Sequence, residues 1–165
     1  MNDHEVRMWN TVKVRKDGGV KVYKLFEAEY DEVVWYSWIG SEIFRGLPRV
    51  FVERVGVYFD MKANAEDVTA ICDEGELVFC IGGEEKFRSP VRRFMAGFVG
   101  AKRVTRMEVN RYESVQMFLR LRRFPDLKDD VGIMGAVDFV VVPIPPTLPG
   151  REVFDEAEDT ASSER

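Results

Sequence analysis

Eleven lysines and arginines fall between Lys86 and Arg123, against only Glu108 and Glu113, so this stretch carries a net charge of +9. The flanks are acidic, residues 1–85 and 124–165 each summing to −7, and the whole-chain value of −5 hides the basic middle. Interspersed charges would solvate a surface equally well, whereas a concentrated block makes a field that attracts polyanions. Aromatic residues accompany the cations. Alternation in 115–122 sets Phe118 on one face with Gln116, Arg120 and Arg122, and the N-terminal run sets Trp9 and Tyr23 beside Lys13, Arg15 and Lys21. Cations hold phosphates, flat rings stack bases at roughly 1–3 kcal/mol each, and arginine stacks on bases itself. The sequence therefore predicts non-enzymatic binding of single-stranded DNA or RNA. The candidate contacts are Trp9, Lys13, Arg15, Lys21, Tyr23, Arg88, Arg92, Arg93, Lys102, Arg103, Arg106, Phe118, Arg120 and Arg122. No group is suited to reading base edges, and no Gly-Phe-Gly-Phe run of an RNA-recognition motif is present.

Two other readings compete. The cations can pair with the acidic flanks in an ion-pair network of the kind thermophilic proteins use, and few amides (one Gln, four Asn) point the same way. Alternatively the chain is a structural or assembly subunit of a larger complex or virion. The apolar run Val33–Ile39, the Pro143–Pro146 extension and the acidic tail are features that dock neighbours.

Catalytic patterns are sparse. His4 is the only histidine and stands at the N-terminus, so Ser-His-Asp and metal-His sites are not expected. There is no P-loop and no G-x-G-x-x-G. Cys72 and Cys80 lack CxxC spacing and read as two reduced thiols rather than zinc ligands. The one pattern suggesting a reaction is Asp60-Met61-Lys62 at a strand end, which with Glu53 or Glu66 would hold Mg²⁺ for phosphodiester cleavage. Asp126, Asp129 and Asp130 lack EF-hand spacing. No cofactor is expected.

These residues need elements to position them. Asp17-Gly18-Gly19 between two alternating runs predicts a β-hairpin in which Val14 faces Val22 and Trp9 faces Glu27. Val33–Ile39 predicts a central strand covered on both sides. Arg49–Asp60 predicts a strand whose two valine sets change phase at Arg54, hence a bulge. Asn64 predicts a helix N-cap, with Glu66 and Asp67 in the first turn and Gly75 at the end. Glu76–Ile81 follows as a strand, closed by Gly82-Gly83. Ser89-Pro90 predicts the start of a helix that buries Val91, Phe94, Met95, Phe98 and Val99. Strands are expected at Val104–Tyr112, Val115–Arg122 and Val137–Val142, with a loop over Asp126–Gly135.

The fold expected is α+β: one domain over 1–146, a largely antiparallel sheet, at least two packed helices, and an acidic flexible tail over 147–165. The partners expected are single-stranded nucleic acid, a protein docked through the tail, and further copies of the chain in a homo-oligomer. Apolar runs are too short for a membrane span and no secretory leader is recognisable, so a cytoplasmic protein is expected.

Overall fold

Val115, Met117, Leu119 and Leu121 alternate along one strand and are buried to 2 % exposure or less, which fixes the inner face of that strand. The same period-two logic builds eight strands in the computed structural model, which describes residues 3–37, 47–95 and 100–143. In chain order these are β1 His4–Val14, β2 Val22–Glu29, helix α1 Tyr30–Ser37, β3 Arg49–Phe59, helix α2 Ala65–Glu74, β4 Gly75–Ile81, β5 Glu84–Pro90, a 3-10 turn at Val91–Phe94, β6 Lys102–Val109, β7 Ser114–Leu121 and β8 Val131–Val142. The composition is mixed α+β, as expected, but the strands form two antiparallel sheets rather than one. Their orders are β1-β8-β3-β6 and β2-β7-β4-β5. Laid face to face, these orders are the double Greek key of a jelly roll. Among the described residues no helix is long and apolar enough to cross a membrane.

The core lies between the sheets. Phe139 of β8 meets Phe26 of β2 with ring centroids 6.2 Å apart, and both are buried. Gly135 marks the closest approach: a Cβ there would stand 2.6 Å from Met117 Cε and 2.8 Å from the Leu25 carbonyl oxygen. Glycine thus lets one sheet's backbone sit against the other. This overturns the expected Asp126–Gly135 loop, since β8 begins at Val131 and Gly132 and Gly135 lie within it.

The expected β1–β2 hairpin is also overturned. β1 pairs with β8 from His4↔Val141 to Val14↔Val131, and β2 pairs with β7. Asp17-Gly18-Gly19 does turn, with Gly19 at φ 68° and the Gly18 N–H donating to the Arg15 carbonyl, but it carries the chain from one sheet to the other. Alternation reveals which face of a strand is buried and is silent on its partner. Nor is the alternation of β2 unbroken. A bulge between Lys24 and Phe26 buries both Leu25 and Phe26, so Tyr23 faces in and Val22 faces out.

Val33–Ser37, expected as strand, is part of α1. Glu32 Oε1 accepts the Glu29 N–H at 2.9 Å, the carboxylate half of a capping box, and Asp31 and Glu32 occupy the first turn. Buried Tyr30, Val33 and Ser37 follow helical spacing. Trp38 and Ile39 of that expected strand lie outside the described residues.

The expected helix from Pro90 is a 3-10 turn over Val91–Phe94, with no side-chain cap from Ser89, which lies in β5. Val91 and Phe94 are buried as expected, Met95 is exposed instead of buried and bridges through its backbone to Val57, and Phe98 and Val99 lie outside the described residues. So do 144–165, which take in most of the proline extension and all of the tail.

Other elements stand where expected. β3 is bulged between Val52 and Arg54, and the valines on either side of the bulge are all buried. Asn64 Oδ1 accepts the Glu66 N–H at 2.8 Å and caps α2. Gly75 ends that helix by entering β4 directly, without the left-handed conformation of a glycine cap.

Candidate functional site

The predicted binding residues divide among several surfaces. Along β1, Val6, Met8 and Val12 pack on the core, which turns Trp9 and Lys13 outward from the β1 sheet. Phe118 and Arg120 alternate with buried Met117 and Leu119, so they face outward from the β2 sheet. Trp9 and Phe118 therefore stand on opposite outer faces of the sandwich and make no common platform. Tyr23 is buried at 8 % exposure, its hydroxyl pushed above its ordinary pKa by burial, so it is not a stacking ring. Arg15 and Lys21 flank the β1–β2 turn and are exposed.

Most of the basic block is tied up within the molecule. Arg103 and Arg106 both reach Glu53, at 2.7 and 2.8 Å, and together hold its carboxyl below the usual range, Arg106 contributing more. Arg88 pairs with Glu85 at 2.7 Å and Glu76 at 3.0 Å, which raises the guanidinium further above its ordinary value. Lys86 pairs with Glu84. Arg92 meets Asp73 at 2.7 Å and Arg123 meets Glu74 at 3.2 Å, while Arg122 donates to the Asp73 carbonyl. Asp73 and Glu74 look misplaced at the negative end of α2, yet these arginines surround them and supply the positive charge that a helix C-terminus favours. The ion-pair reading of the block accounts for seven of its eleven cations, because the acids of β3, α2, β4 and β5 reach them in space.

Among the described residues two surfaces remain as candidates. The first lies where β5 and β6, the edge strands of the two sheets, face one another. A crevice of ≈ 540 Å³ there is lined by Lys86, Phe87, Arg88, Arg93, Phe94 and Thr105, among others. Phe87 stacks on Phe94 at 5.2 Å, and Lys102 Nζ lies 5.6 Å above the Phe94 ring. This edge gathers Arg88, Arg93 and Lys102 with two aromatic rings, although Phe94 itself is buried.

The second is an uncovered aromatic cluster beside β1. Trp9 is 57 % exposed, Trp35 68 % and Tyr36 50 %. Trp35 and Tyr36 meet edge to face at 5.2 Å. Trp9 and Tyr36 share a hollow of ≈ 280 Å³ whose rim includes Arg7, Asn10, Glu27 and Glu32. Neighbouring charges are already matched: Arg7 grips Asp138 at 2.6 and 3.0 Å, and Lys24 pairs with Glu27 at 2.7 Å. Sequence reasoning placed Trp35 and Tyr36 inside a two-sided strand and missed their exposure. Glu29-x-x-Glu32 together with the Tyr30, Val33, Ser37 spacing was the signal that could have revealed it.

The nuclease pattern changes form. Asp60 lies beyond β3 in a turn, where its Oδ1 accepts the Lys62 N–H at 2.9 Å, so the carboxylate and lysine do not share a strand face. Glu53 is held by the two arginines and Glu66 by Lys128. Among the described residues no three His, Cys, Asp or Glu side chains are grouped to hold a metal ion, and Cys72 and Cys80 are free thiols.

Comparison with protein-family models, with curated proteins and with solved structures returned no match.

Proposed function

We propose that the protein is a structural subunit that assembles with further copies of itself into a larger complex or virion. The observation behind this reading is the exposed cluster of Trp9, Trp35 and Tyr36. Burying a large apolar side chain is worth about 1.5–3 kcal/mol, and tryptophan and tyrosine dominate interface energetics, so three such rings in water ask for a cover.

Light scattering on the full chain over a wide concentration range tests the proposal. The expected result is a species heavier than the 19.0 kDa monomer. Trp35→Ser combined with Tyr36→Ser is expected to return it to a monomer that still unfolds cooperatively, since both side chains are largely exposed within one chain, with a melting temperature lowered only by the lost association. A chain that stays monomeric throughout, or an assembly indifferent to the double substitution, overturns the reading.

A second reading keeps the β5–β6 crevice as a seat for single-stranded nucleic acid, supported by Arg93 and Lys102, which make no ion pair among the described residues. Binding to oligo-dT, followed by fluorescence anisotropy, is then expected to weaken steeply with salt, and Arg93→Glu is expected to weaken it at least tenfold. No binding at low salt, or salt-insensitive binding, removes this reading.

A further inference from the structure

The four sheet edges are not alike. The pairings of β2, β5 and β6 each contain a register shift, and the latter two edges also carry dense charge or proline, devices that discourage strand addition. β1 has no such shift and no proline, and its charges, Glu5, Arg7 and Lys13, are spread along the strand. Its pairing with β8 runs for eleven residues without a shift, and its middle, Met8–Thr11, is uncharged. Among the described residues the backbone groups of Glu5–Lys13 make no backbone hydrogen bond outside the ladder to β8. α1 and β2 flank this edge, with Tyr36 and Glu27 beside Arg7–Asn10, but its outward backbone groups make no backbone pair among the described residues, and a straight edge of that kind is a template for another strand.

We infer that the occupant is β1 of a second copy, paired antiparallel about a two-fold axis through Trp9. This rests on the self-assembly reading above and specifies its contact. The outward face of the strand reads Glu5, Arg7, Trp9, Thr11, Lys13, flanked by Asp3 before and Arg15 after. Acids lie at one end and bases at the other, an order that is self-complementary when the strand is reversed. With Trp9 opposite its own copy, Glu5 faces the second copy's Lys13 and Asp3 faces its Arg15. Symmetry doubles each pair. Moving the centre to Asn10 sets Arg7 against Lys13, and moving it to Arg7 sets that guanidinium against itself. On the inward side the Trp9 register places Val6 opposite Val12 and Met8 opposite Asn10. An isologous contact of this kind joins two β1 sheets into one eight-stranded sheet, with the tryptophans side by side at its centre.

The test is a charge swap on the full chain. A cross-strand ion pair contributes roughly 0.2–1 kcal/mol, and reversal converts two attractions into two repulsions. Glu5→Lys alone and Lys13→Glu alone are each expected to weaken self-association about tenfold or more, and the double variant to restore it. Both residues are exposed and without an ion pair among the described residues, so folding is expected to be unaffected. In parallel, Trp9→Cys is expected to form a subunit-to-subunit link with a short thiol cross-linker, whereas Thr11→Cys, which would lie opposite Arg7, is not. The parent chain controls for Cys72 and Cys80. An assembly that forms but ignores both the swap and the cross-linker overturns this register while the self-assembly reading stands. A chain that never associates removes both.

Discussion

Gly135→Ala is expected to lower stability by about 2–3 kcal/mol, the cost of forcing extra volume into a packed core, and the melting temperature by about 5–10 °C. The added methyl would meet Met117 Cε at 2.6 Å, the Leu25 carbonyl oxygen at 2.8 Å and Leu25 Cβ at 2.9 Å. The Met117 methyl can swing, but Met117 and Leu25 are both fully buried. The Leu25 carbonyl is backbone of the facing sheet and sits at the β2 bulge, so relief requires the sheets to part. Met117→Ala in the Gly135→Ala background is therefore expected to recover only part of the loss. Gly132→Ala provides a control in the same strand. Its Cβ would meet nothing closer than Asp60 at 3.5 Å, and it faces outward, so thermal unfolding is expected to be near that of the parent. Equal melting temperatures for Gly135→Ala and Gly132→Ala would show that the sheets do not approach as closely as described.

Gly135 also shows why the fold was only partly legible in the sequence. A glycine in a loop and a glycine required by a close sheet–sheet contact look identical along a chain. Only the facing residues distinguish them, and those come from β2 and β7, over a hundred and about twenty positions away. Local signals were readable: the Asn64 cap, the β3 bulge, the Gly82-Gly83 turn and the alternation of β7 are each set by neighbours within a few residues. Pairing was not. The turn after β1 contains good hairpin residues, yet β1 joins β8 at the opposite end of the chain, since a jelly roll pairs strands by wrapping rather than by succession. The candidate site was obscured by the same non-locality. A +9 block looks like a binding surface when most of its acids stand outside it in sequence. Glu84 and Glu85 lie two and three residues from Lys86 and Arg88 and were within reach of a local reading, whereas Glu53, Asp73, Glu74 and Glu76 become visible as partners only when β3 pairs with β6, β4 pairs with β5, and the end of α2 meets the residues around Arg92 and Arg122. Trp9 was correctly placed on an outward face because alternation over β1 suffices for that. Trp35 and Tyr36 were lost because an apolar run of seven residues fits a short helix as well as a strand.

Asp67→Ala is expected to cost about 2–4 kcal/mol, the scale of leaving two buried donors without an acceptor. Asp67 is 2 % exposed, and its two oxygens accept the Lys128 N–H at 2.9 Å and the Asp129 N–H at 3.1 Å. One carboxylate in the first turn of α2 thereby fixes the segment that leads from β7 into β8. A second tie is exposed: Lys128 pairs with Glu66, an interaction worth at most about 1 kcal/mol at such a surface. The two contributions separate by mutation. Glu66→Ala is expected to leave stability within about 0.5 kcal/mol of the parent, the usual range for surface changes. Asp67→Asn is expected to lie between parent and alanine, because one amide oxygen can serve one donor while the NH₂ group faces the other. Hydrogen exchange locates the effect. In Asp67→Ala the Lys128 and Asp129 amides are expected to lose protection first, with Leu127, buried beside them, following. The charge at the positive end of α2 is lost in both Asp67 variants, so a purely dipolar role would make them equally unstable and leave the Lys128 and Asp129 amides protected. An intermediate Asp67→Asn with selective loss at those two amides assigns the stability to the hydrogen bonds, and with it the anchoring of β8, the strand on which β1 is laid.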